Sequence, residues 1–71
     1  MGAEETEDFE WRKIGLAAPA RRALVGAKLY RVSDLRRVSL DEVASLHGMG
    51  KSAIARLRQI MDAKGIRFRA S

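Results

Sequence analysis

A chain of 71 residues, 46% hydrophobic and 32% charged, with a net charge of +5 and no cysteine, has room for one small globular domain that buries about 60% of its unfolded surface. That excludes a disulfide-stapled scaffold and a Cys-based zinc site, and no apolar run approaches the roughly 18 residues of a membrane span. The amino end is acidic where a secretory signal would be basic and then apolar, so a soluble, cytoplasmic protein is expected.

Residues 1–10, MGAEETEDFE, carry five carboxylates (Glu4, Glu5, Glu7, Asp8, Glu10) and no Lys or Arg. Apart from Phe9 they lack apolar periodicity, which predicts a mostly disordered acidic tail. All 14 basic residues follow, against Asp34, Asp41, Glu42 and Asp62 alone, so residues 11–71 form a domain of charge +10. Such a cationic domain has the electrostatic footprint of a nucleic-acid binder. Trp11, Ile14 and Leu16 open the buried material, and Trp11 reads as a core residue rather than a base-stacking platform. Pro19 suits the first turn of a helix, PARRALVGAK, with Leu24 and Ala27 inward and Gly26 weakening its end. Ser33 is the expected N-cap of DLRRV, whose Leu35 and Val38 share a face. Ser39 starts the next helix with an S-x-x-E capping box to Glu42, and Val43 and Leu46 form its inner side.

The last helix is predicted over Lys51 to Lys64. Ala53, Ile54, Leu57, Ile60 and Met61 form one apolar stripe on it. Gly65 is placed to end it in the left-handed conformation, with Ile66 making the following apolar contact. Arg56 and Arg58 on this helix have Asp62 as a partner, or none. Between the last two helices lies HGMG, a turn expected to draw on the conformational freedom of Gly48 and Gly50 and to be pinned by an inward Met49. The free amides at the start of the last helix attract an anion, and glycines let a phosphate approach closely. A cation at a helix amino end is mildly unfavourable, so Lys51 there, beside Ser52, points to a polyanionic partner.

GMGKS is not a phosphate-binding P-loop, because its first glycine is two positions before Gly50 instead of five and no strand precedes it. The chain has one histidine, His47, and no cysteine nucleophile. No acid pairs with a base on a helix, and no set of three or four zinc ligands is present. Neither an enzyme nor a metal or cofactor site is expected. The fold class is all-α, a compact bundle of four to five short helices.

The stretch SLDEVASLHGMGKSAIARLRQIMDAKGI resembles a helix-hairpin-helix motif, through Leu46, Gly48, Met49, Gly50, Ile54 and Leu57. From IGLAAPARRALVGAKLYRVSDL to AKGIRF, most of residues 14 to 68, the chain is similar to the carboxy-terminal domain of the bacterial RNA polymerase alpha subunit, a SAM-like fold. The resemblance implies a grip on the DNA backbone by the start of the first helix together with the hairpin, and a surface for transcription regulators. It sets Gly48, Gly50, Lys51 and Ser52 at the phosphate contacts, and Met49 between them is counted with the expected DNA-binding residues. Where the family has a minor-groove arginine this chain has Pro19, with Arg21 and Arg22 slightly downstream. Arg56 completes the expected DNA-binding set.

The expected function is therefore largely sequence-non-specific binding of double-stranded DNA, linked to bacterial transcription. The alternative is a protein-interaction module that docks on RNA polymerase or a regulator, its hairpin purely structural. RNA is less favoured, because no aromatic platform for stacking bases is evident. The acidic tail is a candidate competitor for the DNA surface. Few phosphate contacts fit on one hairpin, so useful affinity calls for a partner, a dimer or tethering. The oligomeric state is not legible in the residues.

Overall fold

In the computed structural model, which describes residues 8–70, the chain runs through α1 (Phe9–Lys13), α2 (Ala18–Gly26), a 3-10 helix (Val32–Arg37), α3 (Leu40–Ala44) and α4 (Lys51–Lys64). Among the described residues there is no strand, and the molecule is a compact all-helical domain. No helix among them is long and apolar enough to cross a membrane. The expected boundary at residue 11 falls inside α1, which takes Asp8, Phe9 and Glu10 into the fold. The rest of the acidic tail, residues 1–7, lies outside the described residues.

One core joins every element. Trp11 of α1, Leu24 of α2, Leu35 of the 3-10 helix and Leu57 of α4 are each fully buried, with Leu29 and Val43 beside them. Ile14, Val38, Leu46, Met49, Ala53, Ile54 and Ile60 pack against this cluster from its edge. The Trp11 indole N–H donates to the Leu29 carbonyl at 2.8 Å, so the buried ring keeps its polar group satisfied. Ala27, expected inward, is exposed. The inner face of α2 is carried by Ala20 and Leu24, four apart, because the chain leaves the helix at Gly26 before Ala27 can complete the stripe.

The helix ends follow local chemistry. Ser39 Oγ accepts from the Glu42 amide at 3.1 Å while the Glu42 carboxylate accepts from the Ser39 amide at 2.8 Å, the reciprocal box read from SLDE. Gly65 has φ +69, and the Ile66 amide donates back to Met61 at 2.9 Å, closing α4 as expected. Ser33 does not cap: the 3-10 helix begins at Val32, two residues before the expected Asp34, and Ser33 is exposed. Asp34 does the capping from inside the helix, its Oδ2 accepting from the Tyr30 and Arg31 amides at 2.8 and 3.1 Å. α3 ends at Ala44, two residues before the expected Leu46.

Few long-range polar bonds tie the periphery together. The Val32 amide donates to the Glu10 carboxylate at 3.0 Å, and the Arg69 amide donates to the Val38 carbonyl at 2.8 Å. Arg69 also pairs with Glu42 at 2.8 Å, so the carboxy-terminal segment is fastened to the start of α3.

Candidate nucleic-acid interface

The turn between α3 and α4 is built from the inside outward. The Leu46 amide donates to Val43 and the Met49 amide to Leu46, both at 3.1 Å, which folds residues 43–49 tightly. Met49 is half-buried against the core, so it anchors the turn. Gly48 has φ +98, and a Cβ there would stand 2.7 Å from the Pro19 carbonyl oxygen. A glycine is therefore required twice over, for its backbone conformation and for the close approach of another segment. That approach sets the turn directly against the first residues of α2.

Gly50 behaves differently from the expectation that both glycines serve the turn. Its backbone is extended, with φ −102 and ψ 177, a conformation open to any residue. A Cβ at Gly50 would meet nothing within 4 Å. Neither its φ nor internal packing requires glycine, although an N-cap position favours glycine over apolar residues, and its missing side chain leaves open space at the surface.

Gly50 is the N-cap of the 14-residue α4, and no side chain caps that end. The first bond of the helical ladder runs from the Ile54 amide to the Gly50 carbonyl at 3.1 Å, which leaves the preceding amides without intrahelical acceptors. Lys51 and Ser52 are exposed in the first turn, and no acidic residue stands there. Free amides, the positive end of the helix dipole, an ammonium and a hydroxyl thus share one small exposed surface.

The three arginines expected beside the turn are placed unequally. Arg22 is exposed and, among the described residues, in no ion pair. Arg21 is committed within the chain: its Nε donates to Asp8 at 3.2 Å and its Nη1 to the Leu16 carbonyl at 2.7 Å. Asp8 also pairs with Arg12 at 3.0 Å. The bond from Arg12, with that from Arg21 behind it, holds the Asp8 carboxyl below its ordinary value of 3.8. Arg56 is likewise engaged, its Nε donating to the Ile14 carbonyl at 2.9 Å, which straps α4 to the loop after α1. Arg58 makes no ion pair with Asp62.

The turn and the start of α2 are therefore contiguous, with Gly50, Lys51, Ser52 and Arg22 outward, while Arg21 and Arg56 serve as internal ties. Sequence reading had no signal for the tie of Arg21 to Asp8, because an exposed helical arginine and a committed one look alike in a sequence. Comparison with family models, curated proteins and solved structures yields no match for this chain.

Proposed function

We propose that this domain binds double-stranded DNA through the phosphate backbone, largely irrespective of sequence, at the surface formed by Gly50, Lys51, Ser52 and Arg22. In this reading the domain is a helix-hairpin-helix module like the carboxy-terminal domain of the bacterial RNA polymerase alpha subunit. It works beside RNA polymerase or a transcription regulator in the bacterial cytoplasm and performs no catalysis. The observation that carries the reading is Gly50: an exposed, extended N-cap with open space where a Cβ would stand, beside uncapped amides and Lys51. A phosphate oxygen fits there because no Cβ stands in its way. The Gly48 contact with Pro19 supports it further, since one duplex can then reach the turn and the start of α2 together. Arg21 enters the grip only if DNA displaces Asp8, so Arg22 is the arginine assigned to it.

The test is a fluorescence-anisotropy titration of A·T-rich and G·C-rich duplexes at several salt concentrations. A handful of phosphate contacts predicts a log-log salt slope of about −3 to −4, nearly equal for the two duplexes. Lys51→Ala is expected to reduce that slope by about one. Absence of binding at low salt would sink the proposal and leave a purely structural hairpin.

A further inference from the structure

A groove of about 610 Å³ lies between α3 and α4 and reaches the turn at Met49 and Gly50. Its floor is apolar, made by Leu40 and Ala44 of α3 and by Met49, Ile54 and Ala55. Lys51 and Arg58 stand along the α4 edge, and Asp41 stands on the α3 edge. Lys51 and Arg58 are seven residues apart, which puts them on the same face of the helix about 10 Å from each other. Both are exposed, and neither has an ion-pair partner among the described residues.

We infer that this groove is the docking site of an amphipathic helical segment from another protein. Its apolar side chains fill the floor, two carboxylates seven positions apart face Lys51 and Arg58, and a basic residue on its opposite edge faces Asp41. The groove is open along the sides of two helices, and an amphipathic helix in a groove is anchored at positions three and four apart. The charges fix direction and partner: a basic helix meets two free cations on one edge, whereas an acidic edge meets them in register with the α4 pitch. DNA does not satisfy this surface, because a duplex brings phosphates but nothing to cover Leu40, Ala44 and Ile54. The inference does not rest on the DNA reading, but the two sites share Gly50 and Lys51. An acidic helix in the groove therefore competes with DNA for that residue, which would let a protein partner control access to the turn.

The experiment uses the full chain labelled for amide NMR and a synthetic helical peptide of about 14 residues, near the length at which an isolated helix becomes stable in water. The peptide carries central leucines, glutamates seven positions apart on one edge and a lysine on the other. A second peptide has lysines in place of the glutamates. The expected result is a saturable shift of the Leu40, Asp41, Ala44 and Ala55 amides with the acidic peptide only, in the absence of DNA. Arg58→Glu should weaken binding about fivefold or more, as expected when an interfacial charge pair is turned to repulsion. Ala55→Glu, also at an exposed position, should abolish binding by filling the floor with a charge, and an unchanged amide spectrum establishes that either variant is folded. No groove shifts at millimolar peptide, shifts confined to His47–Ser52, or equal binding of the lysine peptide would each overturn the inference. Because these titrations contain no DNA, their failure leaves the DNA proposal intact. A duplex titration that fails does not touch the groove.

Discussion

Gly48 and Gly50 stand one residue apart and are kept for opposite reasons. Gly48→Ala forces a Cβ toward the Pro19 carbonyl at an unfavourable positive φ, and is expected to cost at least about 2 kcal/mol by urea unfolding. Gly50→Leu enters open space with an ordinary backbone and is expected to cost only about 0.5–1 kcal/mol, the difference between glycine and an apolar residue at an N-cap. In the anisotropy titration, however, the leucine should remove most DNA affinity, because its side chain occupies the place proposed for the phosphate. A Gly50→Leu variant that binds DNA as well as the parent protein would contradict the assigned site. Both glycines were legible in the sequence as features of a turn. Which of them the fold requires was not legible, since that depends on Pro19, far away along the chain.

At the scale of elements, boundaries made by residues close in sequence were legible and those set by packing were not. The Ser39–Glu42 box and the Gly65 stop are local, made of residues within a few positions of each other, and the sequence pattern carries them directly. The end of α2 is different. The Leu29 amide donates to Leu24 at 2.9 Å around Lys28, which sits at φ +64, the place where glycine usually ends a helix. A lysine there gave no signal, and Gly26 suggested a weak end instead. Lys28→Gly is expected to raise stability by about 0.5–1 kcal/mol, because relief of the left-handed strain outweighs the added freedom of the unfolded chain. A urea midpoint that falls in this variant would mean that the Lys28 side chain makes a contribution beyond its backbone. Ser33 and Asp34 teach a related lesson: both are good capping residues, and the turn of the chain at Tyr30 and Arg31 decides which carboxylate or hydroxyl is within reach.

For the whole molecule, three carboxylates hold the periphery, Glu10 by accepting from the Val32 amide and two others by ion pairs. Asp8 ties α1 to the start of α2 through Arg21, and Glu42 ties the carboxy-terminal segment to α3 through Arg69. The Ser39 amide and the Arg69 guanidinium lower the Glu42 carboxyl from its ordinary 4.5, as Arg12 and Arg21 lower Asp8 from 3.8. A carboxylate with a depressed folded value is protonated more readily in the unfolded chain. Its contribution is therefore present above the ordinary value and is lost as pH falls through the folded one. Urea midpoints should hold near neutrality and drop below about pH 4.5, with a shallower drop in the Asp8→Asn, Glu42→Gln double variant. An acid limb of unchanged slope in that variant would assign the loss to other groups. The same bonds govern how the acidic tail is tested as a competitor of DNA. Removal of residues 1–10 would also delete the partners of Arg21 and Val32, so truncation belongs at residue 7.

The sequence by itself determined the helical class, the span of α4, the capping box, the turn and most of the core. These follow from 3.6-residue periodicity and from caps whose partners lie within a few positions, and such interactions keep their form wherever the helix is packed. It also held the charge asymmetry that points to a polyanion, since net charge needs no fold. Tertiary structure alone decided which arginines are free. Arg21 and Arg56 are spent on Asp8 and on the carbonyls of Leu16 and Ile14, while Arg22 and Arg58 are not. It alone brought Pro19 against Gly48 and opened the groove between α3 and α4. A side-chain donor bonds whatever acceptor the packing sets within about 3 Å, and for residues distant in the chain that neighbour exists only once the core has closed.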